Sequence, residues 1–100
     1  MIEVLVSSDA ELDIEIAANY YESKETGLGG YFRSSIIADL TSLEFLGGTH
    51  AMKYGFHRKM CKVFPFWLYY ELTSPKSVAV VAIIGQRRGD EYVRARLGNG

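Results

Sequence analysis

Between Tyr54 and Arg88 the chain sets cations against aromatic rings. The segment Arg58-Lys59-Met60-Cys61-Lys62-Val63 runs into Phe64-Pro65-Phe66-Trp67-Leu68-Tyr69-Tyr70, and an apolar run from Val78 to Ile84 ends in Gly85-Gln86-Arg87-Arg88. A guanidinium binds phosphate or carboxylate through a planar fork of donors, and an ammonium binds them as a point charge. Aromatic and arginine side chains together are favoured anchors at interfaces. Arg58, Lys62, Arg87 and Arg88, beside Trp67 and Tyr69, are therefore the candidates for holding an acidic, amphipathic partner segment. Arginines directly after an apolar strand are more often solvated charges that end it and discourage edge pairing, and Arg87 and Arg88 carry that reading too.

The remaining chemically versatile residues stand apart from one another. Cys61 is the only cysteine, so no internal disulfide can form; it suits a small apolar packing role and a reducing compartment. His50 and His57 lack a Cys, Asp or Glu spaced to complete a metal site, and neither a metal nor a cofactor is expected. Gly27-Leu28-Gly29-Gly30 resembles a phosphate loop only superficially, because it follows a helical pattern rather than a strand and lacks the Lys-Ser/Thr end. Its glycines suit a tight turn between helices.

The formal net charge of −1 conceals a polarity along the chain. Residues 1–50 carry nine acids against two cations, a formal −7; residues 51–100 carry nine cations against three acids, a formal +6. Such a split implies an acidic face and a basic face, the latter open to an anionic partner, unless the halves interleave in space and cancel.

These side chains need elements to hold them, and the pattern supplies them. At 100 residues, 48% of them hydrophobic, the chain is one small domain, taken as 1–97 with a frayed tail at 98–100. Ile2–Val6 is a short strand, and Ser7-Ser8-Asp9 offers N-cap candidates. Ala10, Ile14, Ala17 and Tyr21 then recur at helical spacing, with the helix ending near Lys24. A second helix runs from about Leu28 to Leu46 with Phe32, Ile36, Leu40 and Leu43 on one stripe, Ile37 beside them, and Gly47-Gly48 as its stop. So short a connection makes the pair an antiparallel hairpin.

Three extended segments follow. A strand carries Arg58 and Lys62. The next, Phe66 to Leu72, points Phe66, Leu68, Tyr70 and Leu72 at the hairpin and Trp67, Tyr69 and Glu71 at a partly exposed or partner-covered side. Val78 to Ile84 is apolar on both faces, hence central, with the first strand as its second neighbour. The expectation is an α+β domain of order β-α-α-β-β-β, a helical hairpin on one face of a mostly antiparallel four-stranded sheet, with a helical turn from Asp90 to Leu97. No apolar run approaches the roughly 20 residues of a membrane span, and the N-terminus does not resemble a signal peptide, so a cytoplasmic protein without a membrane partner is expected.

Taken together, Ala18-Asn19-Tyr20-Tyr21-Glu22, Gly27-Leu28-Gly29-Gly30-Tyr31-Phe32, Arg58, Phe64-Pro65-Phe66-Trp67-Leu68-Tyr69-Tyr70 and Ala82-Ile83-Ile84-Gly85-Gln86-Arg87-Arg88 resemble the RelE/ParE superfamily of bacterial toxins. The resemblance implies the toxic half of a type II toxin–antitoxin, or plasmid-stabilisation, module, with a cognate antitoxin as partner and a hetero-oligomeric complex. It also implies one of two activities. RelE-like members cleave messenger RNA on the ribosome without a metal; the positions matching that chemistry are Arg58, Lys62, Arg87 and Tyr92, the last a poor general base unless cations depress its pKa of about 10. ParE-like members bind and poison DNA gyrase. The Tyr-Tyr-Glu, Gly-Leu-Gly and Phe-Pro-Phe stretches, Gln86 where many relatives carry histidine, and a net charge unsuited to ribosomal RNA favour the ParE-like branch. An inactive relative that keeps antitoxin binding is a third reading.

Overall fold

The computed structural model describes residues 1–98; Asn99 and Gly100, in the expected frayed tail, lie outside them. Its elements are β1 (Glu3–Val6), α1 (Ser8–Lys24), α2 (Leu28–Leu46), β2 (Met52–Lys53), β3 (Phe56–Met60), β4 (Phe66–Ser74), β5 (Ser77–Gly85) and α3 (Asp90–Arg96). The sheet order is β1-β5-β4-β3-β2, with β1 parallel to β5 and the other pairs antiparallel. This is the expected α+β arrangement with five strands rather than four. The added strand arises at Tyr54-Gly55, whose φ angles of 58° and 84° make a two-residue turn of the kind that matches strand twist. Tyr-Gly is not the usual signal for that turn, and β2 is two residues long.

Local chemistry explains the hairpin. Ser7 caps α1, its hydroxyl accepting from the Ala10 N–H at 3.1 Å. Ala10, Ala17 and Ala18 are buried, so α2 can come close. At Gly29 a Cβ would lie 2.6 Å from the Ala18 carbonyl oxygen, so only glycine permits this contact. The Glu22 carboxylate accepts from the N–H groups of Gly27 (3.0 Å) and Gly29 (2.9 Å), which lowers its pKa. The N-terminus of α2 is thus already satisfied by an anion from α1.

Phe32, Ile36 and Leu43 of α2 meet Leu68, Tyr70, Val78, Val80 and Ile83 in the main core, with Leu40 and Phe66 packed against it. Each fully buried side chain of this size contributes roughly 1.5–3 kcal/mol. Ile37, adjacent to the stripe by spacing, instead faces outward, and Leu72 lies half exposed past the end of the hairpin. A bulge between β4 and β5, where Tyr69 pairs with Ala82 but Tyr70 with Val80, reverses which β5 residues face the hairpin.

The other face of the sheet departs from expectation. Tyr69 is 1% exposed, in a second core with Ala82, Ile84, Val93 and Leu97. The covering element is the chain's own α3, which the apolar residues Val93 and Leu97 dock onto the sheet. Among the described residues no helix is long and apolar enough to cross a membrane.

Candidate binding site

The length mismatch between β1 and β5 leaves a concavity beside the second half of β5. Their pairing ends at Val6 opposite Val80, yet β5 continues to Gly85, so its second half has β4 beside it and, among the described residues, no strand on the other side. Side chains from the first helix cover part of that edge. Asp13 Oδ2 accepts from the Ile83 N–H at 2.9 Å, and the Ser7 hydroxyl donates to the Val81 carbonyl at 3.4 Å. The same Asp13 oxygen accepts from Arg96 Nη2 at 2.7 Å, so one carboxylate ties α1, β5 and α3 together. That hydrogen bond raises the Arg96 pKa and keeps the guanidinium charged.

Between these three elements runs a groove of about 370 Å³, walled by Ile16, Tyr20, Tyr21, Phe66 and Tyr92 with Arg88 at its lip. The Arg88 guanidinium lies over the Tyr92 ring at 4.2 Å, and Lys24 Nζ lies over the Tyr20 ring at 5.0 Å. Stacking on a ring orients a cation while leaving its edge donors free. Aromatic walls with Arg88 among them suit an amphipathic, anionic segment.

The residues singled out in the sequence separate in space. Arg58, half-buried on the α3 side of the sheet, stacks over Trp67 at 3.7 Å. Lys62 is not on a strand; it is exposed in the bend after β3, and its backbone N–H lies 3.4 Å from Asp39 Oδ1. Its side chain borders a second cavity of about 300 Å³ against α2. Arg87 is exposed in the turn after β5. Arg88 and Tyr92 meet at the groove, whereas Arg58, Lys62 and Arg87 do not line it. Tyr69, expected on a partner-facing side, is instead withdrawn into the second core and is not open to a partner.

Asp13, Tyr20, Tyr21 and Arg96 went unassigned from sequence alone. The spacing of Tyr92 and Arg96 places both on one helical face, and Arg96 Nη1 lies 3.4 Å from the Tyr92 hydroxyl. Nothing local marks Asp13, whose partners lie 70 and 83 residues away.

Two polar clusters stand behind the sheet. Lys59 Nζ donates to Asp39 Oδ1 at 2.6 Å in a pair whose side chains are 10% and 2% exposed. Beside it, burial first and the Asp39 charge second push the Cys61 thiol up to about 12, so it stays protonated and inert. Tyr70 holds His50 and His57: its hydroxyl lies 2.6 Å from His50 Nδ1, and its ring stacks on His57 with centroids 5.2 Å apart.

No protein-family model matches the sequence, and no match was found among curated proteins. Among solved structures, a chain described as "Chromosomal ParDE TA system from P. aeruginosa" superposes with a TM-score of 0.69 at 13% identity, over 85% of this chain and 96% of that one. The fold of this chain is therefore that of the ParE-like toxins.

Proposed function

We propose that this chain is the toxin component of a type II toxin–antitoxin module, neutralised in the cytoplasm by a cognate antitoxin and acting by binding DNA gyrase. The observation that carries the reading is the ParE-like fold, matched over most of both chains. Two features of the surface support a binding toxin over a nuclease. Arg58 and Arg88 are held over aromatic rings, and aromatic and arginine side chains are favoured interface anchors. Tyr92 lines the groove and Lys62 the separate cavity against α2, with Arg58 and Arg87 in neither, whereas metal-independent cleavage of a ribosome-bound message needs cations and a proton carrier around one phosphate. The antitoxin supplies an acidic, amphipathic segment that reaches two places, the Arg58–Trp67 stack and the groove where Arg88 lies next to exposed Arg87, giving a hetero-oligomer.

Expression of the chain alone should arrest growth, and co-expression with the adjacent small reading frame should relieve the arrest and yield a complex. A gyrase supercoiling assay run beside primer extension on translated messages separates the activities; inhibited supercoiling with intact messages is expected. Cleavage within ribosome-bound codons, abolished by Arg87→Ala in a folded protein, would establish the RelE-like ribonuclease instead. Normal growth at good soluble yield, with antitoxin binding retained, would establish an inactive relative.

A further inference from the structure

Asp39 is buried with one of its two carboxylate oxygens unmet. Its side chain is 2% exposed, and its Oδ1 takes both nearby donors, Lys59 Nζ at 2.6 Å and the Lys62 backbone N–H at 3.4 Å. Its Oδ2 is also buried and, among the described residues, has no hydrogen-bond partner. The buried Cys61 thiol close by is a weak donor and does not replace an N–H or O–H. A charged acceptor buried without a donor is costly, so its retention calls for an explanation.

Asp39 helps to line the cavity between α2 and the bend after β3, whose 300 Å³ falls at the lower end of the roughly 300–1,000 Å³ common for small-molecule sites. The sequence makes room for it. Ser35, Ala38 and Ser42 stand at i, i+3 and i+7 on α2, so the helix carries small side chains where it meets Lys62 and Val63. Half-exposed Leu46 and Val63 add apolar walls. The wall chemistry narrows the ligand. Ser35 and Ser42 donate their hydroxyl hydrogens to the backbone carbonyls of Phe32 and Asp39 at 2.8 and 2.6 Å, so their oxygens, like Asp39 Oδ2, can only accept. A ligand must therefore bring a donor. An amine or guanidinium would be repelled by the ammonium groups of Lys59 and Lys62, and an anion by the Asp39 carboxylate. What fits is a neutral, apolar body with one N–H or O–H, and the ammonium of exposed Lys62 favours the π face of an aromatic ring.

We propose that this cavity binds a neutral aromatic ring carrying a single N–H or O–H donor, of the indole or phenol class, with the donor going to Asp39 Oδ2. The cavity shares no wall residue with the groove between α1, β5 and α3, and the inference holds whichever target the chain has.

Indole titrated into the isotope-labelled full chain, made by cell-free synthesis, should shift the amide NMR signals of Ser35, Ala38 and Ser42 saturably and leave those of β1 and α3 in place. Indene, the same bicycle with CH₂ for N–H, should bind at least about tenfold more weakly, because it leaves Asp39 Oδ2 without a donor. Ala38→Phe, at an exposed helix position, should fill the cavity and abolish the shifts with the far-ultraviolet circular dichroism unchanged; the indene comparison needs no variant. No saturable shift at millimolar indole means that water alone satisfies Asp39 and overturns the proposal. Equal affinity for indole and indene overturns it as well, since the cavity would then be an apolar cleft that recognises no donor. Such a ring has two possible sources, and the complex with the adjacent gene's product separates them. Indole excluded from that complex assigns the ring to a tryptophan or tyrosine of the partner, and indole bound equally by free chain and complex assigns it to a free small molecule.

Discussion

The two faces of the sheet are closed by different means. Two helices of 17 and 19 residues cover one face, and an apolar core from α1, α2, β4 and β5 holds them, with the Asp39–Lys59 pair sealed at its margin. A single seven-residue helix covers the other, with Val93 and Leu97 as its apolar contacts and polar hooks at either end. Tyr54 donates to Asp90 at the start of α3, and Arg96 donates to Asp13 at its finish. The first face is held by a broad buried core and the second by two apolar contacts with a polar hook at each end, so α3 belongs to the low-stability end of the molecule.

The largest test of this contrast is Asp39→Ala, which leaves the Lys59 charge buried without its counter-charge. A loss of about 3–5 kcal/mol in urea unfolding is expected, and the double change Asp39→Leu with Lys59→Met should recover most of it. Leu68→Ala should cost ~2–5 kcal/mol, since the residue is fully buried where α2 meets the sheet. A cost under about 1 kcal/mol for either change would erase the contrast.

On the other face the effects should be smaller and local. Asp13→Ala strips the Ile83 N–H of its acceptor and should cost about 1–3 kcal/mol. Arg96→Ala removes a partly solvated pair and should cost ~0.2–1 kcal/mol. Its clearer signature is faster hydrogen exchange at the amides of Val93 and Leu97 with β4 unchanged; equal acceleration in β4 would mean that α3 opens only with the whole domain.

The smallest effect is a pH dependence confined to the hairpin side. Burial first, then the charges of Lys59 and His57, lower the His50 pKa below its ordinary 6.5. The unfolded chain therefore binds the proton more readily. The stability contribution is complete above about pH 6.5 and declines as the pH falls through the folded value. The urea midpoint should drop on acidification below 6.5, and His50→Gln should flatten that slope; a slope unchanged by the substitution would place the titration elsewhere.

Periodicity carried most of the fold. The caps and the four-residue spacing of Phe32, Ile36 and Leu40 bounded both helices, and the two-sided apolar run of β5 required neighbours on each side, because such signals arise from contacts a few residues apart or from burial that must be met somewhere. Other features were illegible for equally physical reasons. The Tyr54-Gly55 turn relies on a non-glycine residue at positive φ, a conformation that surrounding contacts must impose. The bulge that reverses β5 depends on β4 as its partner. The aromatic alternation of β4 announced a second apolar face but not its cover: α3 supplies that cover, because the chain returns across the sheet after Arg88.

The groove shows the same division. Arg88 and Tyr92 stood out as residue types, and the resemblance to RelE/ParE toxins pointed to the fold that the structure then bore out. Which cations converge was decided by tertiary contacts alone, since Asp13 meets Ile83 and Arg96 only after β1 stops short of the end of β5 and leaves an edge to be covered. Residue order records local spacing well, whereas a side chain's neighbours across the fold depend on strand lengths and register that no short window contains.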